Sequence, residues 1–193
     1  MSFNNKPISV LERRNFLQTA SGIALSGTAI ALIGGCATAG SEGSNTNVQT
    51  EQDVRILNTA ISAEHEAVAA YQLGAESGLL SAGALKVALT FQGHHKAHID
   101  VLASTVRKLG GEAVDAKNTY NFPVDKLIKE GDVLTFAAEL ERGAVSAYAG
   151  AIPLFDNSDL AKAAASILAD EAMHWAILRQ ALGLDPVPGA FFS

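Results

Sequence analysis

Glu64-His65-Glu66-Ala67-Val68-Ala69-Ala70-Tyr71 and Glu141-Arg142-Gly143-Ala144-Val145-Ser146-Ala147-Tyr148 are two copies of one pattern, E-x-x-A-V-x-A-Y, set 77 residues apart. A second pair, Gln92-Gly93-His94-His95 and Glu171-Ala172-Met173-His174, repeats at an offset of 79. Each half of the chain therefore carries a Glu on a first segment and E/Q-x-x-H on a second. Around these motifs apolar residues recur every three to four positions, the signature of amphipathic helices. Ile56, Ala60, Ala63, Ala67 and Tyr71 mark a first helix near 51–78. Ser81 opens a second, with Leu85, Leu89, Gln92, His95, Ile99, Leu102 and Val106 on one face and Gly110-Gly111 as its stop. A third runs from about Gly131 to Leu154, and Asp156-Asn157-Ser158-Asp159 caps a fourth that ends near Leu182. No strand or hairpin signal is present, and the predicted class is all-α.

Connection lengths select the topology. The first and last links are a few residues long, so each helix pair forms an antiparallel hairpin. The middle link, from Gly110 to Glu130 with Pro123 inside it, spans about twenty residues. Extended, it reaches ~66 Å at about 3.3 Å per residue. A 28-residue helix is about 42 Å long, so this link suffices to run the whole length of a bundle.

The same periodicity places Glu64 on the stripe of Ala60, Ala67 and Tyr71, and Glu141 on the stripe of Leu134, Ala138, Val145 and Tyr148. Glu171 and His174, at i and i+3, point at one spot. Carboxylates facing one core are costly unless protonated, paired or bound to cations. Arg142 lies about 100° round its helix from Glu141 and does not serve. Two divalent metal ions would.

Glu64 with Tyr71, His95, Glu141 with Tyr148, and Glu171-x-x-His174 resemble the ferritin-like superfamily of carboxylate-bridged dinuclear-metal bundles, over residues 51–182. The resemblance implies a ferritin-like four-helix bundle of two antiparallel hairpins joined by a long crossover. It implies Fe or Mn, one or two ions, with Glu64 and His95 serving one metal, Glu141 and His174 the other, and Glu171 bridging. Tyr71 and Tyr148 would bond to the ligands from behind. Members store iron, reduce or dismutate peroxide, or activate oxygen. Gln92 stands where the family has a second bridging carboxylate, and a neutral amide bridges hard cations poorly. Unequal occupancy or a degenerate site is the corresponding expectation, with His98 as a compensating ligand and His94 off the face; Gln92→Glu is expected to raise metal stoichiometry.

Residues 1–36 read as a leader. Glu12-Arg13-Arg14-Asn15-Phe16-Leu17-Gln18 resembles a twin-arginine export motif, and the uncharged run Gly22–Gly35 fits a signal-peptide core. Ile33-Gly34-Gly35-Cys36 resembles a lipobox, with acylated Cys36 as the mature N-terminus; Ala37-Thr38-Ala39 is the competing cleavage pattern for a soluble product. Residues 37–50 read as a flexible Gly/Ser/Asn-rich tether, 51–185 as the bundle and 186–193 as a C-terminal tail. These features point to an exported, periplasmic, membrane-anchored lipoprotein, monomer or dimer.

Composition excludes other classes. With 14 Lys+Arg against 20 Asp+Glu the net charge is −6, the wrong sign for nucleic-acid binding. A single Cys excludes an intramolecular disulfide and any Cys-clustered metal site. Three functions stay open: a dinuclear-metal oxidoreductase, a metal store or chaperone, and an anchored non-enzymatic scaffold with a degenerate site.

Overall fold

The computed structural model describes residues 42–192. The leader, with Arg13, Arg14 and Cys36, lies outside the described residues. Four long helices make the domain: α1 (Glu42–Glu76), α2 (Ala82–Lys108), α3 (Glu130–Ala151) and α4 (Ser158–Ala181), with short 3-10 turns at Val124–Lys126 and Ile152–Leu154. No strand occurs among the described residues. The all-α class and the bundle of two hairpins are as the sequence predicts: α1 packs along α2 and α3 along α4, while α1 and α3 touch over a shorter stretch.

The caps are local chemistry. Ser81 accepts the Ala84 N–H at the start of α2, and Asn157 accepts the Asp159 N–H at the start of α4. At the end of α2, Gly110 takes φ +80°. Its N–H bonds the Arg107 carbonyl, and the Gly111 N–H reaches back to Val106, the six-to-one closure that left-handed glycine permits. Gly111 is required for a different reason, because a Cβ there would sit 2.7 Å from Val54 Cγ1.

Two expectations are corrected. Helix α1 begins at Glu42 rather than near residue 51, so residues 42–50 are helical and not tether. Once a helix is nucleated, each added residue gains a hydrogen bond at small cost, and this stretch holds no proline. Leu89, expected on the core face, is exposed. The buried stripe of α2 runs through Ala88, Phe91, Gln92, His95, Leu102 and Val106, and Leu89 falls about 100° from Ala88.

The crossover after α2 is fastened at both ends. Asn58 on α1 donates to the Glu112 carbonyl (2.9 Å) and accepts the Val114 N–H (3.0 Å). Tyr120 stacks on Phe122, which meets Phe136 of α3 edge-on. At the other end of the chain, Phe192 packs edge-on against Trp175 (5.2 Å between centroids).

Two apolar clusters fill the bundle. One gathers Leu57, Ile61, Leu102, Val106 and Ile167; the other gathers Tyr71, Phe91, Leu134, Ala138 and Leu178. Between them along every helix lies a buried polar layer: Glu64, His95, Glu141, Glu171 and His174.

Replacing Gly111 by Ala should cost about 1–3 kcal/mol through overpacking against Val54. Gly110→Ala should cost less, on the order of 1 kcal/mol, from backbone conformation alone. Thermal melts of the two variants measure both.

Candidate metal centre

Each helix delivers its part of the polar layer from the positions that face the bundle axis. Glu64 comes from α1, His95 and His98 from α2, Glu141 from α3, and Glu171 and His174 from α4. The glutamates and His95 and His174 are at most 3 % exposed. The tyrosines of the internal repeat cross over: Tyr148 of α3 donates to Glu64 Oε1 of α1 (2.5 Å), and Tyr71 of α1 donates to Glu141 Oε1 of α3. Each copy of the motif thus holds the carboxylate of the other copy.

Histidines fill the space between the carboxylates. His95 donates from Nδ1 to Glu64 Oε2 (2.7 Å) and from Nε2 to Glu141 Oε1 (3.3 Å). His98 Nδ1 lies 3.1 Å from Glu171 Oε1 and 3.4 Å from Glu64 Oε2. His174 Nδ1 lies 3.4 Å from Glu141 Oε1 and 3.7 Å from Glu171 Oε2. Phe91 stacks on the His174 ring at 3.9 Å between centroids and fixes its plane.

These contacts set the protonation states. Burial raises the Glu64 carboxyl pKa, but the hydrogen bonds of His95 and His98 outweigh it and the net shift is downward. Burial likewise opposes ionisation of Glu141, and His174 and His95 overcome it. For His95 burial alone would favour the neutral ring; Glu141 and Glu64 reverse this and lift its pKa to about 10. His98 is raised to about 9 by Glu171 and Glu64, and His174 to about 9 by Glu141 and Glu171, each against its burial. Burial and Glu141 push the Tyr71 hydroxyl well above 10, so it remains a donor.

The hydrogen-bond inventory leaves a remainder. Glu141 Oε2, both oxygens of Glu171, and His174 Nδ1 are buried and make no hydrogen bond. Buried polar atoms without a hydrogen bond are expensive, and these four belong to one layer, compensated only in part by the ion contacts of His98 and His174. Among the described residues three groups satisfy the spacing of a cation's ligands, every donor atom within 4.8 Å of the others: two in this layer, Glu64, His95, His98 and Glu171, and His95, Glu141, Glu171 and His174, and a third at its solvent side, His94, Asp170 and His174. The donor set of carboxylate oxygen and imidazole nitrogen suits a divalent first-row metal ion.

Of the residues singled out in the sequence, Glu64, His95, Glu141, Glu171 and His174 meet in this layer. Gln92 does not join them. It is buried, but its Nε2 donates to the Val68 carbonyl (3.1 Å) and to Gln72 Oε1 (2.8 Å), and its Oε1 accepts from Lys96 Nζ (2.9 Å). An amide offers donors that a carboxylate lacks, and the Val68 carbonyl and Gln72 of α1 take them. His98 stands beside Glu64 and Glu171. His94 and Asp170 meet at the outer face of His174; the i, i+4 spacing of Asp170 and His174 was the available signal for that contact.

A family model described as a ferritin-like domain matches residues 52–184. Among solved structures the chain is similar to a conserved hypothetical protein, rv2844, from Mycobacterium tuberculosis, with 20% identity, a TM-score of 0.64, and coverage of 74% of this chain and 99% of that one. It is also similar to a structure described as ferritin like, diiron-carboxylate proteins from Bacillus anthracis str. Ames, with 18% identity, a TM-score of 0.59, and coverage of 69% and 97%. At these identities the likeness is one of fold. No curated protein matches.

Cations compete with the protons on His95, His98 and His174. Metal affinity should therefore climb as pH rises from about 6.5 towards 10, measurable by titration in buffered series. The raised histidine pKa values stabilise the metal-free fold fully below the unfolded value of 6.5, and this stabilisation is lost as pH rises through about 9–10. Melts in chelator should show Tm falling across that window, and metal-loaded protein should not share the fall. Gln92→Glu should cost roughly 1–3 kcal/mol of stability, read as a lower Tm, because it sets a carboxylate against the Val68 and Gln72 oxygens.

Proposed function

The chain belongs to the ferritin-like domain family, and we propose that it is an exported metalloprotein that holds one or two iron or manganese ions in the polar layer and reacts there with peroxide or oxygen. The observation that carries this reading is the set of buried atoms on Glu141, Glu171 and His174 that make no hydrogen bond. Buried carboxylate oxygens without a hydrogen bond, beside histidines whose protons a cation can displace, make a ligand set. Glu171 and His95, common to both donor groups, are the candidates to join two ions. With Gln92 turned to Val68, His98 supplies nitrogen on the Glu64 side in place of a second bridging carboxylate, which favours unequal affinities for the two ions.

A bound redox ion would supply electrons and Lewis acidity. The protein's own contributions are positional. Tyr71 and Tyr148 fix the rotamers of Glu141 and Glu64 and keep their protons. The apolar clusters above and below close the layer along the bundle axis. His95, His98 and His174 give up protons as cations enter. A cleft of about 560 Å³ between α1 and α3, with Ala60, Ala63, Ala67, Ala144, Ala147 and Ala151 in its wall, reaches Glu64, Glu141 and His95 and admits a small reactant.

The proposed address is the periplasmic face of a membrane, reached through Arg13-Arg14 and held by acylated Cys36, with the chain a monomer or dimer. No helix among the described residues is long and apolar enough to cross a membrane.

One observation favours a second reading, a non-enzymatic scaffold: Gln92, at the bridging position, is fully satisfied inside the protein. Metal content of the exported protein, measured by mass spectrometry, separates the two. One to two equivalents of Fe or Mn are expected, with Glu171→Gln reducing them by at least half. Chelator should then lower Tm, since an ion at 100 times its Kd contributes about 2.7 kcal/mol. An unchanged Tm with no metal present supports the scaffold. Metal without peroxide- or oxygen-dependent activity supports a store or chaperone.

A further inference from the structure

Outside the inner layer, at the solvent side of the seam between α2 and α4, three ligand atoms converge. His94 Nδ1 lies 2.9 Å from His174 Nε2, Asp170 Oδ2 lies 3.1 Å from His94 Nδ1, and the same oxygen lies 3.2 Å from His174 Nε2. His98 Nε2 is 3.4 Å from that oxygen as well. The His94 side chain is 44% exposed and that of Asp170 24%, while that of His174 is 2%.

Hydrogen bonds cannot satisfy this triangle. If both rings donate to Asp170, the 2.9 Å nitrogen–nitrogen edge sets two N–H groups against each other. If one ring donates to the other, the accepting nitrogen has no proton for Asp170, and its lone pair faces a carboxylate oxygen. A cation at the centre removes the conflict on all three edges. The edges also have the right length, since adjacent ligands of an octahedral ion with bonds of about 2.1 Å stand about 3.0 Å apart.

We propose that His94, Asp170 and His174 form a further divalent-metal site, a two-histidine, one-carboxylate face at the mouth of the inner centre. It would take borderline N/O-loving ions such as Zn²⁺, Co²⁺ or Fe²⁺, with its remaining positions open to water. His174 serves both places through different nitrogens: Nδ1 faces Glu141 and Glu171, and Nε2 faces outward. Phe91, stacked on the ring, holds it in the orientation that makes this possible. To serve both places at once, His174 would have to offer one nitrogen to each and release its ring proton to solvent. An ion arriving from solvent thus meets the rim face first, on the ring that also belongs to the interior.

The inference extends the proposed inner site without relying on its occupancy, and cobalt titration separates them. Co²⁺ is added to the full chain after chelator treatment, and bound equivalents are read from its visible ligand-field bands. Wild type should bind one equivalent more than His94→Ala, an exposed position where helicity by circular dichroism should not change. The isosteric Asp170→Asn should lose the same equivalent, and Glu141→Gln should keep it. Equal stoichiometry in wild type and His94→Ala overturns the rim site alone and leaves Asp170 as a hydrogen-bond partner of His174. Wild type that binds no cobalt overturns the rim site and the proposed function together.

Discussion

Three carboxylates buried in one layer of a helical bundle are the constraint on which the rest of this structure depends. Glu64, Glu141 and Glu171 have almost no access to solvent, and each would destabilise the core if left without positive charge or a donor. The fold answers in three ways. Tyr71 and Tyr148 give a hydroxyl to one oxygen of Glu141 and Glu64. His95, His98 and His174 retain protons far above the usual histidine range. Apolar clusters on both sides keep the layer narrow, so that most of the helix length still buries hydrocarbon. What these devices leave without a hydrogen bond, chiefly both oxygens of Glu171, is what makes the layer chemically open.

Much of this was legible in the sequence because it rests on periodicity. The E-x-x-A-V-x-A-Y repeat places Glu64 and Glu141 at matching heights on matching helices, and Glu171-x-x-His174 follows from i, i+3 spacing. The caps at Ser81 and Asn157 and the stop at Gly110-Gly111 are local rules that held in place. What was not legible depends on the neighbour across the seam. Gln92 has the right position for the inner layer, yet the Val68 carbonyl and Gln72 on α1 compete for its amide. His94 lies off the α2 stripe, yet Asp170 on α4 gives it a partner. Helical phase tells which way a residue faces, but not which of two acceptors within reach it takes. The start of α1 was hidden for another reason: a Gly/Ser/Asn-rich composition marks a weak helix former, and only continuity with the helix behind it shows that it folds.

The two halves are alike in pattern and unlike in chemistry. On α4 the E-x-x-H motif is complete; on α2 its first position is an amide and the histidines multiply instead, at residues 94, 95 and 98. The exchange lowers the negative charge of the centre and adds nitrogen donors towards solvent. Carboxylate is thereby concentrated on the inner side, and imidazole spans from there to the surface.

The crossed tyrosine–glutamate bonds bear on how the molecule folds. Each hairpin can form from contacts close in sequence, which is fast. Neither hairpin owns the hydroxyl that its carboxylate requires: Glu64 waits for Tyr148, 84 residues on, and Glu141 for Tyr71, 70 residues back. An isolated hairpin therefore exposes an apolar face bearing an acid that has its histidine but lacks its hydroxyl, and docking of the two completes both sets of bonds. The internal repeat is in this sense a lock against half-folded chains, with cooperativity written into side chains rather than into the loop that joins them.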